Sequence, residues 1–308
     1  MESSLPVVFL MGPTASGKTA MAVALHQRLP VEIISVDSAM VYRGMDIGTA
    51  KPAPHILQQA PHRLIDICDP AESYSAGRFC HDALAAIEQA RARQKIPLLV
   101  GGTGLYFRSL EQGISPLPAA DPVIRARLDR EAGKVGWRGM HARLAGVDPE
   151  SAARIHPADT QRIQRALEVH AITGQSLSSL LAQGRNSSLP DAPKKIIIAP
   201  AGRHVMQEQV RRRFMQMIEL GLVGEVRVLY ERDDITASLP SMRLVGYRQV
   251  WRYLEGRVAY RKMVQQSIIA TQQLAKRQMT WLRSEQRCRW FDGTSPDLLD
   301  NILKFMLE

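Results

Sequence analysis

The sequence is poor in the features that build disulfide frameworks, metal cages and membrane spans. Its three cysteines, Cys68, Cys80 and Cys288, are an odd number without Cys-x-x-Cys spacing, so neither a disulfide framework nor a zinc site is indicated. This cysteine usage favours a reducing cytoplasm. The apolar runs fall far short of the roughly 20 residues that a membrane-spanning helix needs, and we expect no membrane partner. Met1-Glu2-Ser3-Ser4 places no basic segment before an apolar stretch, so no secretory signal is expected.

Acidic residues are also scarce, because 30 Asp and Glu stand against 40 Lys and Arg, for a formal net charge of +10. The imbalance is uneven: residues 242–290 contain eleven basic and two acidic residues, and residues 125–165 contain nine and five. One such run is typical of a solvated helix face. Two runs, the second interleaved with aromatic residues, favour a polyanionic partner. No groove-reading motif is present and aromatic rings suit unstacked bases, so RNA is favoured over duplex DNA.

The most specific motif is a phosphate-binding loop at 12–19. It reads G-x4-G-K-T between an apolar run at 7–11 and a helix-forming stretch, which is the strand–loop–helix context that the motif requires. Its glycines let backbone N–H groups point at phosphate oxygens, beside the positive end of a helix. Lys18 adds a mobile charge, and the Thr19 hydroxyl can ligate Mg²⁺. The predicted diphosphate-binding residues are Gly12, Pro13, Thr14, Ala15, Ser16, Gly17, Lys18 and Thr19.

A carboxylate follows the next apolar run, which covers 31–36 and leads to Asp37. In an ordinary phosphate-loop ATPase a second apolar strand ends in an Asp that helps to hold Mg²⁺, but here the run at 96–100 leads into Gly101-Gly102-Thr103-Gly104. A polar group at the C-terminal end of a parallel strand faces the crevice where ligands bind. Asp37 is therefore a candidate general base or a group acting through magnesium. The alternative is a helix N-cap or turn residue.

Alternating strand and helix patterns predict the fold class α/β, with a P-loop NTPase-like parallel sheet core and a helical insertion domain. The predicted strands are 7–11, 32–36, 64–67, 97–100 and 195–199, and the predicted helices are 18–29, 76–94 and 104–112, with more after 203. A proline-rich break at 114–122 precedes a wholly helical pattern to about residue 181 and a polar stretch at 183–191. We therefore predict a core of 1–115 with 193–308 and an insertion at 116–192.

Eight further segments stand in a fixed order over nearly the whole chain: 34–42 (ISVDSAMVY), 45–52 (MDIGTAKP), 61–66 (PHRLID), 74–76 (YSA), 101–106 (GGTGLY), 161–168 (QRIQRALE), 245–249 (VGYRQ) and 275–283 (AKRQMTWLR). Together with the phosphate loop they resemble the tRNA dimethylallyltransferases, also called tRNA isopentenyltransferases. No single segment is decisive, but the ordered set is highly specific. The zinc finger of the eukaryotic members has no counterpart, because Cys288 has no partner near it. The resemblance is therefore to the bacterial type, without a structural metal.

The resemblance implies transfer of the dimethylallyl group from dimethylallyl diphosphate to N6 of the adenosine adjacent to the anticodon in tRNA, with release of diphosphate. Asp37 would take the N6 proton, while Lys18 and Mg²⁺ on Thr19 would stabilise the departing diphosphate. Thr14 could hydrogen-bond the diphosphate or the adenine. The implied cofactor is Mg²⁺, and the implied partners are dimethylallyl diphosphate and the tRNA anticodon stem-loop. A cytoplasmic monomer is expected.

The resemblance also assigns residues to the RNA path, with the helical insertion and the basic C-terminal helices gripping the stem-loop. The tRNA-binding candidates are Asp37, Ser38, Ala39, Met40, Thr103, Arg125, Gln161, Arg162, Ile163, Gln164, Arg165, Met242, Arg243, Leu244, Val245, Gly246, Tyr247, Lys276, Arg277 and Trp281, within wider segments that include 275–282. Structural alternatives exist for several of them. Thr103 could do no more than end a strand. Arg125 and Arg162 could be solvated helix residues, and Trp281 could be a core residue.

One segment departs from the family pattern. Members often carry Arg-x-x-x-Arg in the helix that here contains Gln209-Val210-Arg211-Arg212-Arg213. If the first Arg binds pyrophosphate, Gln209 cannot supply its charge, so Arg211, Arg212 or Arg213 must do so. Two other functions remain as alternatives. A P-loop small-molecule or nucleotide kinase is disfavoured by the basic C-terminal third. A catalytically idle RNA-binding protein with a nucleotide switch is disfavoured by the intact Lys18, Thr19 and Asp37.

Overall fold

The computed structural model describes residues 5–184 and 189–308. Residues 1–4, where no secretory signal is expected, and residues 185–188 of the predicted polar stretch lie outside the described residues. The chain divides into two units. One, the α/β unit, comprises Met1–Glu111 with Leu189–Glu308, and the other, the helical unit, comprises Gln112–Ser188. None of the helices in the described ranges is both long and apolar enough to cross a membrane.

A six-stranded parallel sheet forms the centre of the α/β unit. Its strands are β1 (Val8–Met11), β2 (Val31–Val36), β3 (His62–Arg63), β4 (Ile96–Gly101), β5 (Lys194–Ala199) and β6 (Cys288–Asp292), in the order β3-β2-β4-β1-β5-β6. The inner strands are almost continuous buried runs, as expected when helices cover both faces of a parallel sheet. The predicted α/β class with a phosphate-loop core is therefore confirmed.

The described part of the α/β unit also contains nine helices: α1 (Lys18–Arg28), α2 (Pro54–Gln59), α3 (Ala76–Ala92), α4 (Gly104–Gln112), α9 (Arg203–Glu219), α10 (Leu222–Tyr230), α11 (Tyr247–Leu254), α12 (Tyr260–Leu282) and α13 (Leu298–Leu307). The core on one face joins Leu10 and Leu98 of the sheet to Leu25 of α1 and Ile302 of α13. These contacts fix the phosphate loop between a buried strand and a helix that packs its apolar face on the sheet.

The sequence located most of these elements, but it misplaced one strand and missed another. Four predicted strands and three predicted helices lie within two residues of the observed bounds. The strand predicted at 64–67 is wrong, because Leu64 and Asp66 have φ angles of 62° and 57°, in the left-handed region that interrupts a strand. Only the residues just before them, β3, pair with β2. The edge strand β6 was not predicted, because its partly exposed sequence CRWFD lacks a buried apolar run.

The helical unit contains α5 (Pro122–Val147), α6 (Pro149–Arg154), α7 (Thr160–Thr173) and α8 (Leu177–Ala182). Gly136 breaks α5 into two helical segments, since its φ of 71° and ψ of 163° are not helical. The unit has its own core, with Leu128 and Met140 of α5 packed around Ile163 and Leu167 of α7. The helical pattern predicted to about residue 181 is confirmed.

A fully buried carboxylate, Glu168, organises this helical unit. It accepts bonds from Arg125 at 2.8 and 3.1 Å, from Arg165 at 2.7 Å and from the Asp121 N–H at 2.9 Å. Burial by itself disfavours the charged carboxylate, but these donors outweigh it and lower the pKa of Glu168 below its ordinary 4.5. Two predicted RNA-binding arginines, with side chains 42% and 28% exposed, are thereby held in place by this carboxylate.

We expect Glu168→Gln to lower the free energy of unfolding by about 2 kcal/mol at pH 7, because the contacts with two arginines lose the carboxylate charge and one acceptor oxygen becomes an NH₂ donor. The folded-state pKa of Glu168 is lowered, so its stabilisation is present above about pH 4.5 and is lost as the pH falls through that lowered pKa. Urea unfolding at pH 7 and pH 3 measures both effects. Glu150→Gln, an exposed carboxylate in the same unit, is the control. Equal stabilities of the two variants at pH 7 would contradict the prediction.

Candidate active site

The phosphate loop joins β1 to α1 in a conformation that explains its glycines. A Cβ on Gly12 would lie 2.2 Å from the Ile198 carbonyl oxygen, so the loop can approach β5 this closely only with glycine. Gly17 has a φ of 84° and occupies the N-cap position of α1, where no side chain accepts a hydrogen bond. The first N–H groups of α1 therefore have no capping side chain, at the helix end that attracts anions. This arrangement suits a phosphate group.

Lys18 lies against the loop, with its Nζ donating to the Pro13 carbonyl at 2.6 Å. Desolvation lowers the pKa of Lys18 to about 7, repulsion from Arg213 adds to this effect, and Asp37 partly opposes it. Desolvation likewise lowers the pKa of Arg213, against the attraction of Asp37. Two cations thus share one desolvated space with a single carboxylate, so an anionic ligand would relieve their repulsion.

Two adjoining cavities meet at this loop. The first, called here the phosphate chamber, has a volume of about 270 Å³ and is lined by residues 14–19 together with Ser35 and His62. The second, the apolar chamber, has a volume of about 410 Å³ and includes Phe214, Leu274 and Trp281. Seven residues line both chambers: Thr14, Ala15, Asp37, Thr49, Gly102, Arg213 and Gln278. A ligand could therefore place a phosphate in one chamber and an apolar group in the other.

Asp37 stands at the end of β2, on the border of the two chambers. Its Oδ1 accepts from the N–H groups of Ala39 at 2.8 Å and Met40 at 3.4 Å, which is the geometry of a turn residue. Its Oδ2 has no hydrogen-bond partner among residues 5–184 and 189–308. The two interpretations of Asp37 are thus compatible, since one oxygen holds the turn and the other can accept a proton from a ligand.

Most predicted RNA-path residues of the α/β unit lie around the apolar chamber. Its lining includes Asp37, Ser38, Ala39, Thr103, Arg243, Leu244, Val245, Gly246, Tyr247, Arg277 and Trp281. The Thr103 hydroxyl accepts from the Ser38 N–H at 3.2 Å, so Thr103 joins two strand ends. Three candidates lie elsewhere: Met40 lines the phosphate chamber, Met242 is buried, and Lys276 is exposed on α12.

The candidates of the helical unit lie on α5 and α7. The side-chain amide of Gln164 donates to Asp129, and Gln161 and Arg162 are exposed. Ile163 is fully buried in the core of the unit, where its side chain serves packing. The RNA contacts of these residues, like those of Arg125 and Arg165, stay predictions.

Trp281 and Tyr247 owe their positions to two glycines. A Cβ on Gly104 would lie 2.5 Å from the Trp281 ring, and a Cβ on Gly48 would lie 2.5 Å from the Tyr247 ring. The Tyr247 hydroxyl donates to Glu225 at 2.5 Å, and burial raises the pKa of this tyrosine. Glu225 also accepts from three backbone N–H groups at 46–48, at 2.6 to 3.0 Å. Glu225 therefore fixes one wall of the apolar chamber, although no motif in the sequence pointed to it.

The three arginines that the sequence left open differ in where the structure places them. Arg211 and Arg212 are exposed, whereas Arg213 lines both chambers. Helical spacing was the available signal, since position 213 follows the buried Val210 by one turn on α9. Gln209 faces neither chamber, and its Oε1 is a buried atom without a partner in the described residues.

The fit of Mg²⁺ can be judged from the donor groups. No group of three or more His, Cys, Asp or Glu side chains could hold a metal ion among the described residues, so a cage made by the protein alone is not present there. Magnesium commonly uses one or two protein oxygens, with water and substrate phosphates completing its shell. The Thr19 hydroxyl lines the phosphate chamber and has no hydrogen-bond partner in the described ranges. It therefore fits magnesium that is bound chiefly through a diphosphate.

Comparisons with known proteins converge on one family. The family model described as IPP transferase matches residues 40–285, and the one described as Isopentenyl transferase matches residues 5–69. A tRNA dimethylallyltransferase from Thioalkalivibrio sulfidiphilus (strain HL-EbGR7) is 60% identical over 281 residues, which cover 91% of this chain and 88% of that protein.

Solved structures are similar over almost the whole chain. The full-length tRNA isopentenylpyrophosphate transferase from Bacillus halodurans is 34% identical, with a TM-score of 0.71, and the match covers 98% of this chain and 97% of that one. The tRNA delta(2)-isopentenylpyrophosphate transferase from Staphylococcus epidermidis is 32% identical, with a TM-score of 0.68 and coverages of 97% and 98%. A eukaryotic dimethylallyltransferase acting on tRNA, at 24% identity and a TM-score of 0.78, covers 96% of this chain and 75% of its own length, and it shares the fold.

Proposed function

The chain belongs to the IPP transferase family, and we propose on this premise that it transfers a dimethylallyl group from dimethylallyl diphosphate to N6 of the adenosine adjacent to the anticodon in tRNA, releasing diphosphate. As a member it is a prenyltransferase that acts on tRNA. The proposal for the donor and the acceptor atom is carried by one observation: Asp37 and Arg213 line both chambers. A donor with its diphosphate in the phosphate chamber would present its allylic carbon at this border, within reach of the carboxylate.

The donor half of the reaction rests on the phosphate loop. Its N–H groups, Lys18 and Arg213 bind the diphosphate, and they stabilise the charge that grows on it as the bond between C1 and the bridging oxygen breaks. The electron pair of that bond leaves with the diphosphate. Magnesium held by the diphosphate oxygens and the Thr19 hydroxyl would neutralise further charge there. Because both cations are desolvated, their attraction for the leaving group exceeds what water would allow.

The acceptor half rests on Asp37. The N6 amine of adenine is a poor nucleophile because its lone pair is delocalised into the ring. As the new bond between C1 and N6 forms, the amine loses a proton to the Oδ2 of Asp37. The apolar chamber, with Phe214, Leu274 and Trp281 in its wall, excludes water that would otherwise hydrolyse the allylic donor. Withdrawing the base from its stack costs on the order of a few kcal/mol.

Basic residues would offset that cost by holding the RNA backbone. In the α/β unit these are Arg243 and Arg277, which line the apolar chamber. In the helical unit they are Arg125, Arg162 and Arg165, whose side chains are partly or largely exposed. A monomer in the cytoplasm is part of the same proposal.

The test is a label-transfer assay with purified protein, Mg²⁺ and unmodified tRNA whose anticodon loop has the target adenosine. We expect label to enter RNA from ¹⁴C-dimethylallyl diphosphate and not from γ-³²P-ATP. Nuclease digestion and mass spectrometry should place the added group on N6 of the adenosine next to the anticodon. Phosphate transfer from ATP without prenyl transfer would support the kinase alternative, and prenylation at another nucleotide would overturn the assignment of the acceptor.

A further inference from the structure

We propose that Gln278 is a positioning residue, which fixes the phosphate loop against the end of β4 and so aligns the bound diphosphate with Asp37. The catalytic consequence of this inference rests on the proposed function. The hydrogen bonds that Gln278 makes to the backbone, called here the clamp, do not. By resemblance, Gln278 belonged to a segment on the RNA path. In the structure its side chain instead hydrogen-bonds to backbone groups beside the phosphate chamber.

The side-chain amide bridges two backbone groups that are far apart in the sequence. Its Oε1 accepts from the Thr14 N–H at 2.8 Å, and its Nε2 donates to the Gly102 carbonyl at 3.0 Å. These groups follow the C-terminal ends of the neighbouring strands β1 and β4. A neutral amide offers an acceptor and a donor in one plane, whereas a carboxylate lacks the donor and an ammonium lacks the acceptor. The bridge therefore depends on the residue type.

Gly102 provides the space for this bridge. A Cβ at position 102 would lie 2.5 Å from the Gln278 Nε2 and 3.1 Å from the Gly12 carbonyl oxygen. A side chain at 102 would therefore displace the amide or the loop. The need for glycine comes from this close approach, because Gly102 is not among the glycines with positive φ.

The location of Gln278 connects the clamp with catalysis. It lines both chambers, and its helix also carries Leu274 and Trp281 in the wall of the apolar chamber. Gln278 accepts the hydrogen bond of the Thr14 N–H, and the next residue, Ala15, has a φ of 64° in the left-handed region. Without the amide, the loop would keep most of its phosphate-binding N–H groups but lose its fixed distance from Asp37. Misplacement of a reacting group by about 1 Å can cost about 100-fold in rate.

Kinetics and hydrogen exchange together test the proposal, with Gln273→Ala, an exposed glutamine on the same helix, as control. We expect Gln278→Ala to reduce kcat about 100-fold, with the KM for tRNA changed less than about threefold, and to speed amide exchange in the loop peptide 12–19. Gln278→Met keeps the length and approximate volume of the side chain without either hydrogen bond, so it should fold and lose kcat about as much as Gln278→Ala. Faster exchange with unchanged kcat, or kcat and exchange equal to those of Gln273→Ala, would overturn the proposal. If the wild type fails to prenylate tRNA, the proposed function fails, while the exchange data still report on the clamp.

Discussion

Replacing Asp37 by Asn should reduce the rate of prenyl transfer about 1,000-fold, within the range of general-base effects, while tRNA affinity changes less than about threefold. An asparagine side-chain oxygen can still accept from the Ala39 and Met40 N–H groups, so the turn at the end of β2 is kept. What asparagine cannot do is take a proton from N6. The substitution therefore separates the two interpretations of Asp37 that the sequence left open.

Single-turnover transfer with saturating donor measures the chemical step, and a filter-binding titration measures tRNA affinity. Asp46→Asn is the matched control, because it removes the same charge in the same unit from a side chain that is 61% exposed and lines neither chamber. Near-normal turnover in Asp37→Asn would assign Asp37 to the turn alone. Lost tRNA affinity with normal turnover of bound RNA would refute the base role in favour of an RNA contact.

The predictable part of this site is the part that short segments determine. The strand, the glycine turn and α1 are consecutive in the sequence, so the phosphate loop could be placed before the structure was known. Asp37 followed from the rule that ligands bind at the carboxyl ends of parallel strands. The prediction of a strand at 64–67 was wrong for a local reason too, because an apolar pattern does not reveal the left-handed φ angles of Leu64 and Asp66.

The remaining features depend on contacts between distant parts of the chain. Thr14 and Gln278 are 264 residues apart, and no local pattern reveals that an amide on a basic helix bonds to the phosphate loop. Glu225 binds the backbone at 46–48 for the same kind of reason. Ile163 illustrates the same dependence, because a segment that the resemblance assigns to RNA also contains core residues, and only packing distinguishes them.

Arg213→Gln should lower kcat/KM for the allylic donor about 100- to 1,000-fold, the cost of removing one preorganised donor from a site of developing negative charge. Arg213 lines both chambers, and in the proposed reaction the bond to the diphosphate breaks at their border. Arg212→Gln is the matched control, since the neighbouring guanidinium is exposed on the same helix. Steady-state kinetics with tRNA in excess measures the effect. Equal losses in the two variants would show that overall charge, rather than the position of Arg213, matters.

The loss in Arg213→Gln should also depend on pH, because Arg213 adds to the desolvation that lowers the pKa of Lys18. In the wild type, Lys18 loses its proton in the free enzyme as the pH rises through about 7, so anion binding weakens above that pH. Without Arg213 the pKa of Lys18 rises, and the ammonium persists to higher pH. The ratio of wild-type to variant affinity for Mg²⁺-pyrophosphate should therefore be largest near pH 6 and fall towards pH 8.5. Calorimetric titrations at both pH values test this, and a ratio that is constant or grows with pH would refute the coupling between the two cations.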